Sequence, residues 1–499
     1  MIKTGIFGGS FNPIHNGHIA LAKKIREIAN LDEVWFVVSP HNPLKDSAGL
    51  MPDDERLAMV EMALADEPHL VASNYEFRQP RPSYMLNTLR SLRNDYADRE
   101  FTLIIGADNW LCFDKWYGYD EILSEFDVVI YPREGSMIDA ATLPTRAKLV
   151  DTGLFNVSST QVRQLIKEGK DIRELVPQRV ADYLSGTTLI SVIIPAYKKA
   201  EYIEDCLLSI VTQSFDSFEV VVVDDGSPDD TAAICDRLAA EHPQIKVIHT
   251  PNGGVTTARR IGYEHSCGRY ITFADADDKM LPGSLQNLYD EMLKSEADEV
   301  VARYVNQHGD LRGKEGERYM QPSWMIKELL SSRIGFSILW AVLFRRSLLA
   351  GCLDTPRLIR SGEDIMMQIK CLLKSPKVWF SNEVVYLYNE GLPNDRPLAL
   401  DEQKLYDDIL YQIFSSKSED EYKEYEPFVV LHQIKMYENF IYGKQFHTFN
   451  EYYSRLRKAN ISQLSLGDRI ALFLPPRIAY YPVAWKKGKQ DRKRQHNNR

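Results

Sequence analysis

Two series of short, unbroken apolar runs, each run separated from the next by a helical pattern, constrain this chain more than any other feature. The first series reads TGIFGG (4–9), EVWFVVSP (33–40), FTLIIGAD (101–108) and FDVVIYPR (126–133). Strands apolar on both faces must be covered on both faces, the condition of a parallel sheet between two layers of helix. Between the first two runs, Leu21, Ile25 and Ile28 fall at i, i+4 and i+7, one face of a helix. The series closes at VADYLSGTTLI (180–190), where Ser185-Gly186-Thr187-Thr188 makes a small polar break. A second series follows: ISVIIPAY (190–197), FEVVVVDD (218–225), KVIHT (246–250) and YITFAD (270–275), with Ile203, Leu207 and Ile210 on the first intervening helix. Beyond about residue 400 the pattern is helical and rich in Tyr. The predicted fold class is α/β: two doubly wound domains, 1–187 and 188–390, followed by a helical extension over 391–499.

Length agrees, because 499 residues exceed what one core holds. A net charge of −10 argues against a nucleic-acid partner, since proteins that hold a phosphate backbone are usually basic. The charge is uneven: residues 485–499, WKKGKQDRKRQHNNR, carry seven Lys or Arg against one Asp. The six cysteines are scattered with no CxxC pair, which is neither a disulfide framework nor a zinc site. The longest apolar run, IGFSILWAVLF (334–344), is too short to span a bilayer and reads as buried core. With no secretory signal pattern at the start, a reduced, cytoplasmic protein is expected.

Chemistry concentrates first in IFGGSFNPIHNGH, residues 6–18. Gly8-Gly9 ends a strand and lets backbone approach a ligand closely. The helix expected from about Asn16 aims its free N–H groups at the same spot, a ready anion site. His15 and His18, three apart at that terminus, converge on whatever anion sits there. No Walker lysine follows the glycines. In-line displacement at phosphorus needs only hydrogen-bond donors around the phosphoryl oxygens and the leaving pyrophosphate. Further on, NVSSTQVRQLI (156–166) offers Ser158, Ser159 and Thr160 as caps of a helix beginning near Gln161, with Arg163 one turn in. Together the two motifs suit a triphosphate.

These strings resemble the nucleotidyltransferases marked by HxGH and SSTxxR, and among them the bacterial nicotinate-nucleotide adenylyltransferases. The resemblance also runs through SPHNPLK (39–45), RPSYMLNTL (81–89), IIGADNWLCFDKWY (104–117) and LVPQRVADYL (175–184). It implies a Rossmann-like domain in which His15 and His18 stabilise the transition state. It further implies that Gly8, Gly9, Ser10, Phe11, Ser158, Ser159, Thr160 and Arg163 hold ATP with Mg²⁺. Lys45, Tyr84, Asp108, Trp116 and Tyr117 would bind the mononucleotide. Trp116 offers a stacking face for a flat nicotinate ring, or is ordinary core. Met85 departs from the family, which often has Thr there. Pantetheine phosphate or a cytidylyl-transfer substrate is the alternative acceptor, and KWY and SPHNPLK favour nicotinate.

In the second series, the strand from 218 runs into Asp224-Asp225-Gly226-Ser227, and GRYITFADADD delivers Asp275, Asp277 and Asp278 at another strand end. Carboxyl ends of strands are where open α/β sheets bind ligands. Carboxylates crowded there repel unless a cation or a turn absorbs them, and Mg²⁺ or Mn²⁺ bridging a diphosphate would suit. Asp278, before a helix, also fits a plain cap. Residues 188–390 resemble glycosyltransferase family 2, with the GT-A fold, through VVVVDDGSPDDT (220–231), the DADD stretch, WAVLFRRSLL (340–349) and SGEDIMMQ (361–368). That implies inverting transfer from a nucleotide-diphosphate sugar to an unidentified acceptor. Pro195, Asp225 and Asp275 would meet the sugar nucleotide, Asp277 the metal, and Asp364 would be the general base with Glu363 beside it. A non-catalytic sugar-nucleotide-binding module is the rival reading of this half. The aromatic and basic stretch 469–494 fits either an anionic membrane surface at the inner face or a solvated tail.

Overall fold

The computed structural model describes residues 1–40, 50–80, 82–155, 157–331, 338–390, 399–415, 418–446 and 456–497. The chain divides into two compact units. One comprises Met1–Asn252, Ala258–Ala276 and Phe344–Asp354; the other comprises Gly253–Thr257, Asp277–Leu343 and Thr355–Arg499.

The first unit opens with strands β1 (Ile2–Gly9), β2 (Glu33–Val38), β3 (Leu70–Ser73), β4 (Arg99–Gly106), β5 (Asp127–Tyr131) and β6 (Ala147–Leu149). They form a sheet in the order β3-β2-β1-β4-β5-β6 with every neighbouring pair parallel. Alternate residues feed two cores, as a sheet covered on both faces requires. Phe7, Phe36 and Ile104 pack with Leu21 and Ile25 on one face; Ile6, Val37 and Ile105 pack with Leu86 and Leu89 on the other. Ile28, expected on the buried helix face, is 40% exposed instead, because the helix Asn16–Ile28 ends there and leaves the sheet. β3 and β6, of four and three residues, were too short to show a periodicity. Strand order reverses between β1 and β4, so the crevice for a ligand opens at their carboxyl ends.

The same unit holds a second parallel sheet, ordered β9-β8-β7-β10: β7 (Ile190–Ala196), β8 (Phe218–Asp224), β9 (Ile245–His249) and β10 (Tyr270–Phe273). Phe344 and Arg345 run antiparallel beside β10. Arg346, fully buried, donates to the carbonyls of Gly268 and Tyr263 and to Ser266 Oγ. The polar break expected near 187 is a turn inside this unit: the helix Gln178–Ser185 stops at Gly186, whose φ of +66° favours glycine. Contacts cross that turn. Ala350 joins the core under the helix Asp53–Leu64, and Gly351 N–H donates to Glu61 at 2.9 Å. Asp66 takes both Arg179 and His265.

In the second unit, β12 (Glu299–Asn306) and β15 (Val378–Tyr388) run parallel. Short β11 (Lys279–Met280) and β14 (Arg318–Met320) pair antiparallel with β15, and β13 (Leu311–Arg312) with β12. Within the apolar run 334–344, Leu339 and Trp340–Phe344 are buried, as expected; residues 334–337 lie outside those described. The predicted helical extension is present as Leu400–Ser415, Glu419–Tyr442, Leu466–Phe473 and Pro476–Asn497. Its first basic residues are docked rather than frayed: Lys486 bonds Glu438 at 2.8 Å and also pairs with Asp468.

Candidate active sites

β1 ends at Gly8-Gly9, and the turn that follows is tight. A Cβ on Gly9 would lie 2.9 Å from the Phe11 ring, and buried Phe11 sits at φ +43°. His15 then caps the helix that starts at Asn16. The His15 backbone N–H donates to His18 Nδ1 at 3.3 Å, so a neutral His18 carries its proton on Nε2. The two rings stack with centroids 3.6 Å apart. His15 is buried, and its Nδ1 has no hydrogen-bond partner among the described residues. Burial, helped by the positive charge of Arg133, lowers its pKa to about 4. His15 therefore stays neutral near pH 7, and both rings stand at a helix N-terminus as hydrogen-bonding groups.

The SSTxxR helix is fastened to this turn. It starts at Ser159, two residues earlier than its sequence suggested, because Ser158 is the cap and accepts from Gln161 N–H. Ser159 Oγ donates to the Pro13 carbonyl at 2.9 Å. Arg163 donates to the Asn12 carbonyl at 2.7 Å and to Thr160 Oγ1 at 3.1 Å. Ser159 and Arg163 thus brace the loop between β1 and its helix.

A second brace escaped the sequence reading. Arg56, fully buried, donates to the carbonyls of Ser10, Ser39, Pro40 and Met51 and pairs with Asp53 at 2.6 Å. One guanidinium holds the ends of β1 and β2 together. Arg56→Met should lower unfolding stability by about 2 kcal/mol, because four carbonyls and Asp53 lose their partner. Urea midpoints of the two proteins check this; equal midpoints would remove the bracing role.

At the end of β4, Asp108 lies 3.8 Å from Arg133, which donates to Tyr131 Oη at 3.1 Å. Tyr84 and Tyr117 approach to 4.8 Å between centroids. Trp116 packs on Phe113 at 5.1 Å as part of the core edge, and its Nε1 is buried without a partner among the described residues. Met85 Cε would lie 2.8 Å from a Cβ on Gly8, so the departure from the family stands against the glycine turn itself. Lys45 lies outside the described residues.

His432 in the second unit, also buried, has its pKa lowered to about 4 by burial and by Lys435. Both His15 and His432 stay neutral in the folded chain where the unfolded chain would already bind a proton, from about pH 6.5 down to about 4. Stability is full above that window, falls as pH drops through it, and each histidine contributes a loss of at most about 3 kcal/mol. His432→Phe, which keeps a ring against Tyr406, should flatten the fall in urea midpoint between pH 7 and pH 5. An unchanged slope would contradict the buried neutral state.

In the second sheet, Asp224 is structural: it accepts from Ser227 N–H and His249 Nδ1, both at 3.1 Å. Its hydrogen bond, with that of Asp236, raises the His249 pKa. Asp225 is buried at the end of β8, with its carbonyl taken by Asn252 at 2.9 Å. Pro195 lies in β7 opposite Val223. Asp275 is half-buried, with the guanidinium of Arg259 at 3.5 Å. That arginine, unnoticed in the sequence, is a cation already present at the crowded strand end.

In the second unit, Asp277 is half-buried, and Asn389 Nδ2 reaches its carbonyl at 3.5 Å. Asp278 is buried and accepts from Asn389 N–H at 2.8 Å; it does not cap the following helix, Ser284–Ser295, whose cap is Gly283. Glu363 and Asp364 open the helix Glu363–Leu372 behind Gly362, at φ +79°. A Cβ on Gly362 would lie 3.1 Å from the Tyr406 ring, and buried Glu402 accepts from Arg360 N–H at 2.6 Å. The first extension helix therefore buttresses the GED turn. Among the described residues, no three His, Cys, Asp or Glu side chains converge on a metal position. A single carboxylate at Asp277 still fits an ion held mainly by phosphate oxygens.

Known proteins bear on both regions. A probable nicotinate-nucleotide adenylyltransferase of Bacteroides fragilis is 50% identical over 171 residues, 34% of this chain and 85% of the relative. Through its amino-terminal region, the chain belongs to that family. A second such protein, from Bacteroides thetaiotaomicron, is 48% identical over 37% of this chain and 91% of its own. The Cytidylyltransferase-like profile matches residues 6–165, and the Glycosyl transferase family 2 profile residues 191–352. The chain is also similar to the solved structure of S. aureus TarS 1–349 with UDP-GlcNAc. That likeness has 19% identity and a TM-score of 0.41, covering 59% of this chain and 81% of that one. Among the described residues no helix is long and apolar enough to cross a membrane.

Proposed function

We propose that this chain joins two transferases: one moves AMP from ATP to nicotinate mononucleotide, and the other moves a sugar, with inversion, from a nucleotide-diphosphate sugar to an acceptor. The reading of the first is carried by one observation, the stacked pair His15 and His18 at a helix N-terminus braced by Ser159 and Arg163. In this reading a phosphate oxygen of the mononucleotide attacks the α-phosphorus of ATP, and the bond to pyrophosphate breaks. His15 and His18 donate to the oxygens that gain charge, while Gly8, Gly9, Ser10, Phe11, Ser158, Ser159, Thr160 and Arg163 hold the triphosphate. Asp108, Tyr84, Trp116, Tyr117 and Lys45 take the mononucleotide. Mg²⁺ accompanies ATP and neutralises its phosphates. Release of pyrophosphate from ATP and nicotinate mononucleotide tests the activity.

For the second half, Pro195, Asp225 and Asp275 meet the sugar nucleotide, and Asp277 holds Mg²⁺ or Mn²⁺ on the diphosphate. Asp364 accepts the acceptor's hydroxyl proton, and Glu363 stands beside it. The buttressed GED turn supports this reading, since a base needs a fixed position. Residues 1–187, 188–390 and 391–499 are the functional segments, and the chain works in the cytoplasm with peripheral membrane contact through its C-terminal helices.

A further inference from the structure

The last two helices carry more apolar surface than their core uses. Leu472 of the helix Leu466–Phe473, and Ala479 and Val483 of the helix Pro476–Asn497, are buried in one cluster with Leu464. That accounts for one face of each. On the other face, Leu466, Ile470 and Phe473 recur at i, i+4 and i+7 and are 75%, 45% and 52% exposed. Ile478, Tyr481 and Trp485 recur at i, i+3 and i+7 on the next helix and are 53%, 73% and 66% exposed. Scattered exposed apolar residues are ordinary, whereas two consecutive stripes are not.

Charge says what covers them. Arg469 and Arg477 are exposed on the same two helices. Of the seven cations in 485–499, Lys486 is engaged with Glu438 and Asp468, and Lys487 with Asn439. The sequence beyond Lys487 adds Lys489, Arg492, Lys493 and Arg494. The rest of the chain is more acidic than the total of −10, so an anionic surface repels it and attracts this end alone. Apolar residues, Tyr and Trp beside Lys and Arg match the boundary between acyl chains and anionic headgroups.

We propose that the exposed stripes of the two C-terminal helices dock the protein, lying in the plane, onto an anionic lipid bilayer. The proposal is independent of either transferase activity. The test is co-sedimentation of the full chain with vesicles of phosphatidylcholine alone, or of phosphatidylcholine with phosphatidylglycerol. The protein should pellet with the anionic vesicles and not with the neutral ones. Arg477→Glu should weaken partitioning about fivefold or more, since each cation near the surface contributes about that factor. The double variant Ile478→Glu, Tyr481→Glu should weaken it about tenfold or more while adenylyl transfer, the check on folding, stays unchanged. Pelleting on neutral vesicles alone, or on neither kind, would overturn the proposal. So would a double variant that pellets normally. A concentration-dependent dimer that these substitutions abolish, without vesicle binding, would assign the stripes to a second copy of the chain instead.

Discussion

His18→Ala should lower turnover of adenylyl transfer by about 10²–10³ with little change in the KM for ATP. The imidazole accepts from His15 N–H through Nδ1, which leaves the Nε2 proton as a donor for an anion at the helix terminus. A donor that strengthens its bond as charge develops on phosphoryl oxygen lowers kcat more than ground-state binding, and one such donor is worth that factor. The loop does not depend on His18 alone, because Arg56, Ser159 and Arg163 hold it independently. The variant should therefore fold. Near wild-type turnover would remove the catalytic role of His18, and a large rise in KM alone would recast it as a binding group.

Asp364→Asn should abolish sugar transfer, by about 10³ or more, while the nucleotide sugar still binds. An amide cannot take the acceptor's proton, so the loss falls on the chemical step. Asp277→Ala should fail in the opposite way, weakening metal-dependent donor binding because the diphosphate loses its bridge. Calorimetry with and without EDTA separates binding from release of the nucleoside diphosphate. Binding indifferent to EDTA, together with transfer by Asp364→Asn, would overturn both assignments.

What was legible in the sequence is what local spacing carries. HxGH puts two histidines on one helix end whatever lies elsewhere, and unbroken apolar runs demand a covered parallel sheet. What was hidden depends on distant partners. Arg56 carries no signal in the sequence, because its acceptors are carbonyls of Ser10, Ser39 and Pro40, which no pattern marks. Arg259 reads as a helix-surface cation until folding brings it to Asp275. The basic tail reads as either membrane-facing or solvated, and its docking escapes the sequence because Glu438, the partner of Lys486, lies 48 positions earlier. The break near 187 is visible as a turn, yet Glu61, Asp66 and Ala350 bond or pack across it through contacts of long sequence separation.

The most direct test is pyrophosphate release by the full chain with ATP and Mg²⁺, offered either nicotinate or nicotinamide mononucleotide. The paired imidazoles at a braced helix terminus, with aromatic rings at Trp116 and Tyr117 nearby in sequence to the β4 end, predict release with both and a clear preference for the acid. No release with either nucleotide would contradict adenylyl transfer to a pyridine mononucleotide, and a preference for the amide would contradict the proposed substrate.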